Sequence, residues 1–265
     1  MQTVQNVHFG SLPIGDATVR EFAFRVVTEL ARSSGIESGR AEASFLTMLI
    51  SAARSGDPAV LQDLLTAMKR RRISAEQVID IYFPCAIDHI GTDWHNARID
   101  VLQATLAMSR LQRLLRELGR AWVSDRAAAS HAGCVLLLMP QGEQHVLGAM
   151  IAANQLRRLG VSVRIEFAPG PGVITEMLEK KRFNAVFLSV SNESSVAGTA
   201  ACVDEIRKAR AAEMPVIVGG GLVSQATGDR NRGRIRSETG ADIATSDVHE
   251  ALAFCGMRKL CAAAE

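Results

Sequence analysis

At Gly133 the period of the sequence changes, and that change limits the fold more than any other feature. CVLLLMP (134–140) is a continuous apolar run with the brevity of a buried parallel strand. HVLGAMIAANQLRRLG (145–160) follows with helical spacing and ends on Gly160, a usual helix terminator. VSVRIEF, a helix near 172–182, NAVFLSV, a helix near 195–212, PVIVGGG, ADIATS and a helix from Val248 then continue the alternation. Strand–helix alternation of this kind predicts an α/β, doubly wound (flavodoxin-like) five-stranded parallel sheet over residues 131–265.

Residues 1–125 read instead as an all-α helical bundle. Apolar positions recur three and four apart over 17–33 and 40–54. Asp57-Pro58 reads as an N-cap followed by Pro at N1, opening the helix AVLQDLLTAMKRRR. Ser74 with Gln77 three residues later is a capping-box pattern for a helix to about Tyr82, which Pro84 is expected to interrupt. From Asp93 to about Trp122 the text is strongly helical and rich in Leu, Ala, Met and Arg, and SDRAAASHA near 124–132 reads as a polar linker.

The remaining composition narrows the setting. Lysine and arginine number 30 against 28 acidic residues, a balance too even to imply nucleic acid by itself. Cys85, Cys134, Cys202, Cys255 and Cys261 are scattered and odd in number, which fits free thiols in a reducing cytoplasm. No apolar run reaches membrane-spanning length, and the N-terminus lacks the basic start and apolar core of a signal peptide.

In open parallel sheets, ligands bind at the carboxyl ends of strands where the strand order reverses. The loop after the first strand is Pro140-Gln141-Gly142-Glu143-Gln144-His145-Val146-Leu147-Gly148. His145 there could ligate a metal with one ring nitrogen while Glu143 fixes the other. Gly148 would let a bulky group approach the following helix. The stretch resembles the Asp-x-His-x-x-Gly motif of the base-off, histidine-on cobalamin-binding fold, with Glu143 in place of Asp. Ser189-Val190-Ser191 and Gly219-Gly220 stand where that family has its Ser-x-Leu or Ser-x-Thr and Gly-Gly signatures. The resemblance implies a corrinoid cofactor with His145 on cobalt. The extra methylene of Glu143 displaces the carboxylate by about 1.5 Å, so the bond to His145 is expected to bend or be lost. Gly219→Leu is expected to fill the cofactor cleft and leave the fold intact.

Domains of that family carry a helical cap over the corrin. Asp93-Trp94-His95-Asn96-Ala97-Arg98-Ile99-Asp100 resembles the Trp-centred cap signature of light-sensing cobalamin repressors. Trp94 would stand above cobalt, or else pack in the bundle core. The Glu-His pair of those repressors is replaced by Ala104 and Thr105, which leaves His95 as a second metal-ligand candidate. His8, His89, His131 and His249 have no partner motif and read as structural or solvent-facing.

A nucleophile with a paired base, a phosphate loop and a substrate domain are all missing, so the chain reads as non-enzymatic. It is similar in architecture and size to the AerR/PpaA family of antirepressors in photosynthetic bacteria. That resemblance implies a PpsR/CrtJ-type repressor of photosynthesis genes as partner, while the loss of the Glu-His pair beside a retained Trp94 leads to the expectation that hydroxocobalamin is favoured over adenosylcobalamin. A corrinoid-carrying methyltransferase subunit and a haem sensor on the same fold are the alternatives, since an axial histidine serves iron equally. Lys69-Arg70-Arg71-Arg72, and Arg230, Arg232, Arg234 and Arg236 in an expected long loop at 228–240, read as solvated surface or as contacts to DNA phosphates made through the partner complex.

Overall fold

The computed structural model describes residues 42–124, 133–209, 214–225 and 229–257. The helix expected over 17–33, the linker at 124–132, His8, His131 and Cys261 lie outside the described residues or at their edge. From Ser44 onward the chain forms one compact unit.

Helices come first. α1 (Ala43–Arg54) buries Phe45, Leu49 and Ile50 on one stripe. α2 (Pro58–Arg70) opens where the sequence signals it, with the Asp57 side chain accepting from Ala59 N–H. The Ser74–Gln77 capping box is formed in both directions and starts α3 (Ala75–Gln77). The chain then widens into a π-turn (Val78–Tyr82) and continues as α4 (Phe83–His95). Pro84 does not end the helix here. Proline lacks the amide donor and its ring crowds the carbonyl four residues back; the π-turn, with Phe83 N–H bonded to Val78 C=O, takes up that conflict one residue earlier. The π-turn carries Tyr82 edge-on against Phe45, ring centroids 4.8 Å apart.

The helical stretch from Asp93 to Trp122 is divided between two helices. α4 stops at His95, Ala97 turns the backbone at φ 54°, and α5 (Val101–Ser124) begins anew. Asp100 and Gln103 cap its start reciprocally: Gln103 N–H donates to Asp100 Oδ1 at 2.7 Å, and Asp100 N–H to Gln103 Oε1 at 3.1 Å.

The sheet order is β2-β1-β3-β4-β5, all parallel. β1 (Cys134–Met139) and β3 (Ala185–Ser189) are central and buried along nearly their whole length, as apolar runs of this type require. β2 (Ser162–Phe167) is an edge strand and carries the charged pair Arg164 and Glu166. β4 (Val216–Gly219) and β5 (Ile243–Ala244) complete the other side. α6 (Val146–Arg158) and α11 (Val248–Phe254) cover one face of the sheet. α7 (Val173–Lys180), α8 (Val196–Lys208) and α10 (Asp229–Thr239) cover the other, with short α9 (Gly221–Gln225) after β4.

α10 replaces the long loop expected at 228–240. Ile235 and Thr239, four apart, are buried and tie the segment to the sheet, and the Thr239 hydroxyl donates to Ile235 C=O at 2.7 Å. Arginine is a good helix former, so its repetition at every second position is compatible with helix once two apolar anchors exist.

The helical section meets the sheet section through α6. Gly119 on α5 faces Asn154 so closely that a Cβ there would lie 2.4 Å from its Oδ1. From the π-turn, Asp80 accepts from Arg158 at 2.5 Å and from Gln155 at 3.1 Å. No helix among the described residues is long and apolar enough to cross a membrane.

Candidate functional site

The order reverses between β1 and β3, since β1 connects outward to β2 while β3 begins the run toward β5. Two loops leave the carboxyl ends of these strands side by side: 140–145 after β1, and 190–195 after β3. Glu143 joins them. Its side chain is completely shielded from solvent, and each carboxylate oxygen serves one loop. Oε1 accepts from His145 backbone N–H at 2.8 Å and lies 2.7 Å from His145 Nδ1. Oε2 accepts from Ser191 N–H at 2.6 Å, with Ser195 Oγ 3.1 Å away.

This geometry corrects one expectation. The longer side chain neither bends nor loses the bond to His145. Burial pushes the Glu143 carboxyl up, but the bonds from the His145 ring, its backbone N–H and the Ser191 N–H outweigh it and hold the group at about 2. The same hydrogen bond to Glu143 raises the pKa of His145 against the opposing effect of partial burial.

With Nδ1–H donated to a carboxylate, the neutral ring keeps its lone pair on Nε2. The side chain is 59% exposed, so that nitrogen is available to a ligand. Among the described residues no three His, Cys, Asp or Glu side chains gather where they could hold a bare ion. A lone imidazole suits a metal that arrives with its other ligands already in place. Gly148, in the first turn of α6, has open space where a Cβ would stand, so the approach to His145 is clear on that side.

The other sheet residues fall at the same edge. Ser189 ends β3, buried, directly paired in register with Gly219 at the end of β4. Ser191 contributes its backbone N–H to Glu143. The glycine pair has a reason of its own to be small. A Cβ at Gly219 would lie 2.8 Å from Thr245 C=O; Gly220 adopts φ +109°, and its Cβ would lie 2.6 Å from Val190 C=O. Leucine at 219 would therefore meet backbone before it met any ligand. The expectation that Gly219→Leu spares the fold is overturned.

Trp94 and His95 close α4, and both are exposed; Trp94 is 53% accessible and so is not a core aromatic. No hydrogen bond joins either side chain to the His145 loop. Thr105 spends its hydroxyl on Val101 C=O at 2.7 Å. His249 lines a cavity of about 370 Å³ with Asp80 and Arg158, and His145 is not part of that lining.

Sequence reasoning missed two groups. Ser195, fully buried, is the second anchor of Glu143; its only signal was Asn192 three residues earlier, whose side chain caps the Glu193–Ser195 turn. Asp93, also buried, gathers Arg54 from α1, Arg98 at 2.9 Å from the turn after α4, and His89 at 3.4 Å. The bond from Arg54 lowers its pKa, burial opposing and Arg98 assisting. Asp93 thus fixes the turn that carries Trp94 and His95, and His89 is its partner.

Among known proteins, no protein-family model matches the chain. It is 37% identical over 185 residues to the "Uncharacterized 20.5 kDa protein in bchF-crtJ intergenic region" of Rhodobacter capsulatus, spanning 70% of this chain and 93% of the relative. The monomethylamine corrinoid protein of Methanosarcina barkeri shares the fold, with TM-score 0.60 at 16% identity over 80% of this chain and 94% of that one.

Proposed function

This chain belongs to the family of the 20.5 kDa protein of the bchF-crtJ intergenic region, and we propose that it is a non-enzymatic, cobalamin-binding antirepressor of photosynthesis genes. The observation that carries the reading is the His145–Glu143 pair at the switch point, with Nδ1 tied and Nε2 exposed. The residues present fit a corrinoid: one imidazole for cobalt, a fixed tautomer, and open space at Gly148. The cofactor would supply a cobalt centre whose upper ligand answers to light or redox state. His145 would bind it through Nε2, Glu143 would orient the ring, and Ser189 and Ser191 would border the tail.

Hydroxocobalamin is the favoured form. Ala104 and Thr105 offer no acid–imidazole pair for an adenosyl-bearing face, and the Thr105 hydroxyl is already engaged. His95, exposed beside Trp94, is the candidate second ligand. The partner would be a PpsR/CrtJ-type repressor; the place of the relative's gene beside crtJ supports this.

The likeness to the monomethylamine corrinoid protein favours a second reading, in which the chain carries a corrinoid for a separate methyltransferase. Titration of the purified full chain with hydroxocobalamin and adenosylcobalamin in the dark, followed by absorption spectra, separates these readings. The antirepressor reading expects tighter binding of hydroxocobalamin and loss of stable loading in His145→Ala. Equal spectra and affinity in His145→Ala would remove the site, and tighter adenosylcobalamin binding would remove the regulatory form of the proposal. A Soret band on haem addition, with no corrinoid binding, would point to the haem sensor.

A further inference from the structure

Phe167 closes β2 and is 51% accessible. Its strand fixes where it stands. Phe167 pairs in register with Met139, the last residue of β1, and Ala168 N–H donates to Met139 C=O at 2.8 Å. The loop that carries His145 begins at the next residue, Pro140. Met139 lies in the core beneath α6 and α11, and Val163 and Ile165 of β2 pack on that same core. Side chains two apart on a strand share a face, so Phe167 is on the α6 side of the sheet, at its carboxyl edge.

A lone exposed aromatic needs no explanation by itself. Three further observations meet at this rim. Directly after Phe167 the chain turns away: Ala168 takes φ 43°, a left-handed conformation that glycine adopts freely and alanine does not. Backbone conflicts of this kind gather at ligand sites. Pro169-Gly170-Pro171-Gly172 then leads straight into α7. Gly148, in the first turn of α6, has open space where a Cβ would stand, at the same end of the sheet. The 140–145 loop is tied on its β3 side through Glu143, and on its β2 side stands Phe167.

We propose that Phe167 is the apolar rim of the corrinoid site, its ring lying against the edge of the macrocycle whose cobalt His145 holds. The inference rests on the cobalamin reading and adds a residue that lies outside the His145, Ser189 and Gly219-Gly220 motifs. The occupant follows from size. A stable protein interface takes about 800 Å² from each partner. Here a single ring is exposed, and Arg164 and Glu166, 3.6 Å apart, precede it on the strand. Charges on an edge strand also disfavour the addition of a strand from a second copy. Phe254, 49% accessible, serves as the contrast, because it lies toward the other end of the sheet: Met257, three residues on, reaches Gly133 ahead of β1.

The test uses the full chain and two probes, hydroxocobalamin and aquocobinamide, which has the same macrocycle and lacks the nucleotide tail. Binding is read by absorption titration, with circular dichroism melts of the cofactor-free proteins. Covering the exposed half of a phenylalanine takes roughly 100 Å² of apolar surface out of water, enough to change affinity about tenfold or more. Phe167→Ala is therefore expected to bind both probes about tenfold more weakly. The histidine-ligated spectrum of bound hydroxocobalamin and the melt should stay as in wild type. Phe167→Trp should restore affinity for both probes, and Phe254→Ala should bind as wild type does. If Phe167→Ala melts early, Phe167→Leu takes its place, with a smaller loss for both probes expected. Affinity for both probes unchanged at Phe167, an equal loss in Phe254→Ala, or a loss confined to hydroxocobalamin, which would put the ring on the tail, would overturn the proposal. Binding that needs His145 and ignores Phe167 overturns this inference alone. Wild type that binds no corrinoid, or binding that survives His145→Ala with the same spectrum, overturns the cobalamin reading with it.

Discussion

Glu143→Gln isolates what the buried carboxylate contributes. The substitution keeps the volume and removes the charge. One oxygen of Gln can still accept, but its NH₂ group then faces donors, either the two from His145 or those from Ser191 and Ser195. Leaving buried donors without an acceptor costs about 1–3 kcal/mol each. The fall of the Glu143 pKa from 4.5 to about 2 gives a second measure, roughly 3 kcal/mol at about 1.4 kcal/mol per tenfold. The two agree at about 3 kcal/mol. Because the folded-state pKa is depressed, this stability is present above about 4.5 and is lost as pH falls toward 2. Below about pH 5, His145 is protonated folded and unfolded alike, since its folded value is raised above the ordinary 6.5, and it adds little slope across most of this window. Urea unfolding of the protein without cofactor should therefore show wild type ahead of Glu143→Gln by about 3 kcal/mol at pH 6, narrowing by roughly 2 kcal/mol at pH 3. A gap that does not change with pH would refute the reasoning, because the carboxylate charge would then contribute nothing.

Three further outcomes follow from the same geometry. Hydroxocobalamin should bind more weakly as pH falls through the raised pKa of His145, since the proton occupies the ligating ring; in Glu143→Gln that loss should shift to lower pH, which titration between about pH 5 and 8 checks. Gly219→Ala should cost about 1–3 kcal/mol against the Thr245 carbonyl, while Gly148→Ala, with open space at its Cβ, should leave thermal stability equal or slightly raised; parallel melts decide it. Asp93→Ala should cost roughly 2 kcal/mol by leaving Arg54 and Arg98 without their shared acceptor, and should speed amide exchange in residues 96–99. Exchange unchanged in that turn would mean that its own backbone bonds hold it.

The parallel sheet was readable because buried central strands must be apolar throughout, and β1 and β3 are. His145 was singled out because Glu143-x-His145-x-x-Gly148 resembles the cobalamin-fold motif at the mouth of β1, and the structure adds the bond between its ring and Glu143. Where the sequence reading failed, local pattern had been overridden by a neighbour. Pro84 stays inside a helical path because the π-turn before it absorbs the conflict. The arginine repeat of α10 conceals two anchors, Ile235 and Thr239, that only the sheet makes meaningful. The start of α5 was written in the sequence, as Asp100 with Gln103, but inside a stretch so helical throughout that the break before it did not stand out. Asp93 and Arg54 are 39 residues apart, and no local pattern links them.

Glutamate in place of aspartate at 143 shows how a departure from a motif becomes informative once distances are known. An aspartate could reach the His145 ring from this loop, since the two positions have only Gln144 between them. The second oxygen of Glu143 reaches Ser191 and Ser195, 48 and 52 residues along the chain. The added methylene is thus the length that spans from the β1 loop to the β3 loop. One carboxylate then fixes the tautomer of the histidine and ties it to the turn on which Glu193 sits, itself paired with Arg234 of α10. A change of charge at His145 is therefore felt by the β3 loop through a single buried side chain with every lone pair committed, and not through solvent.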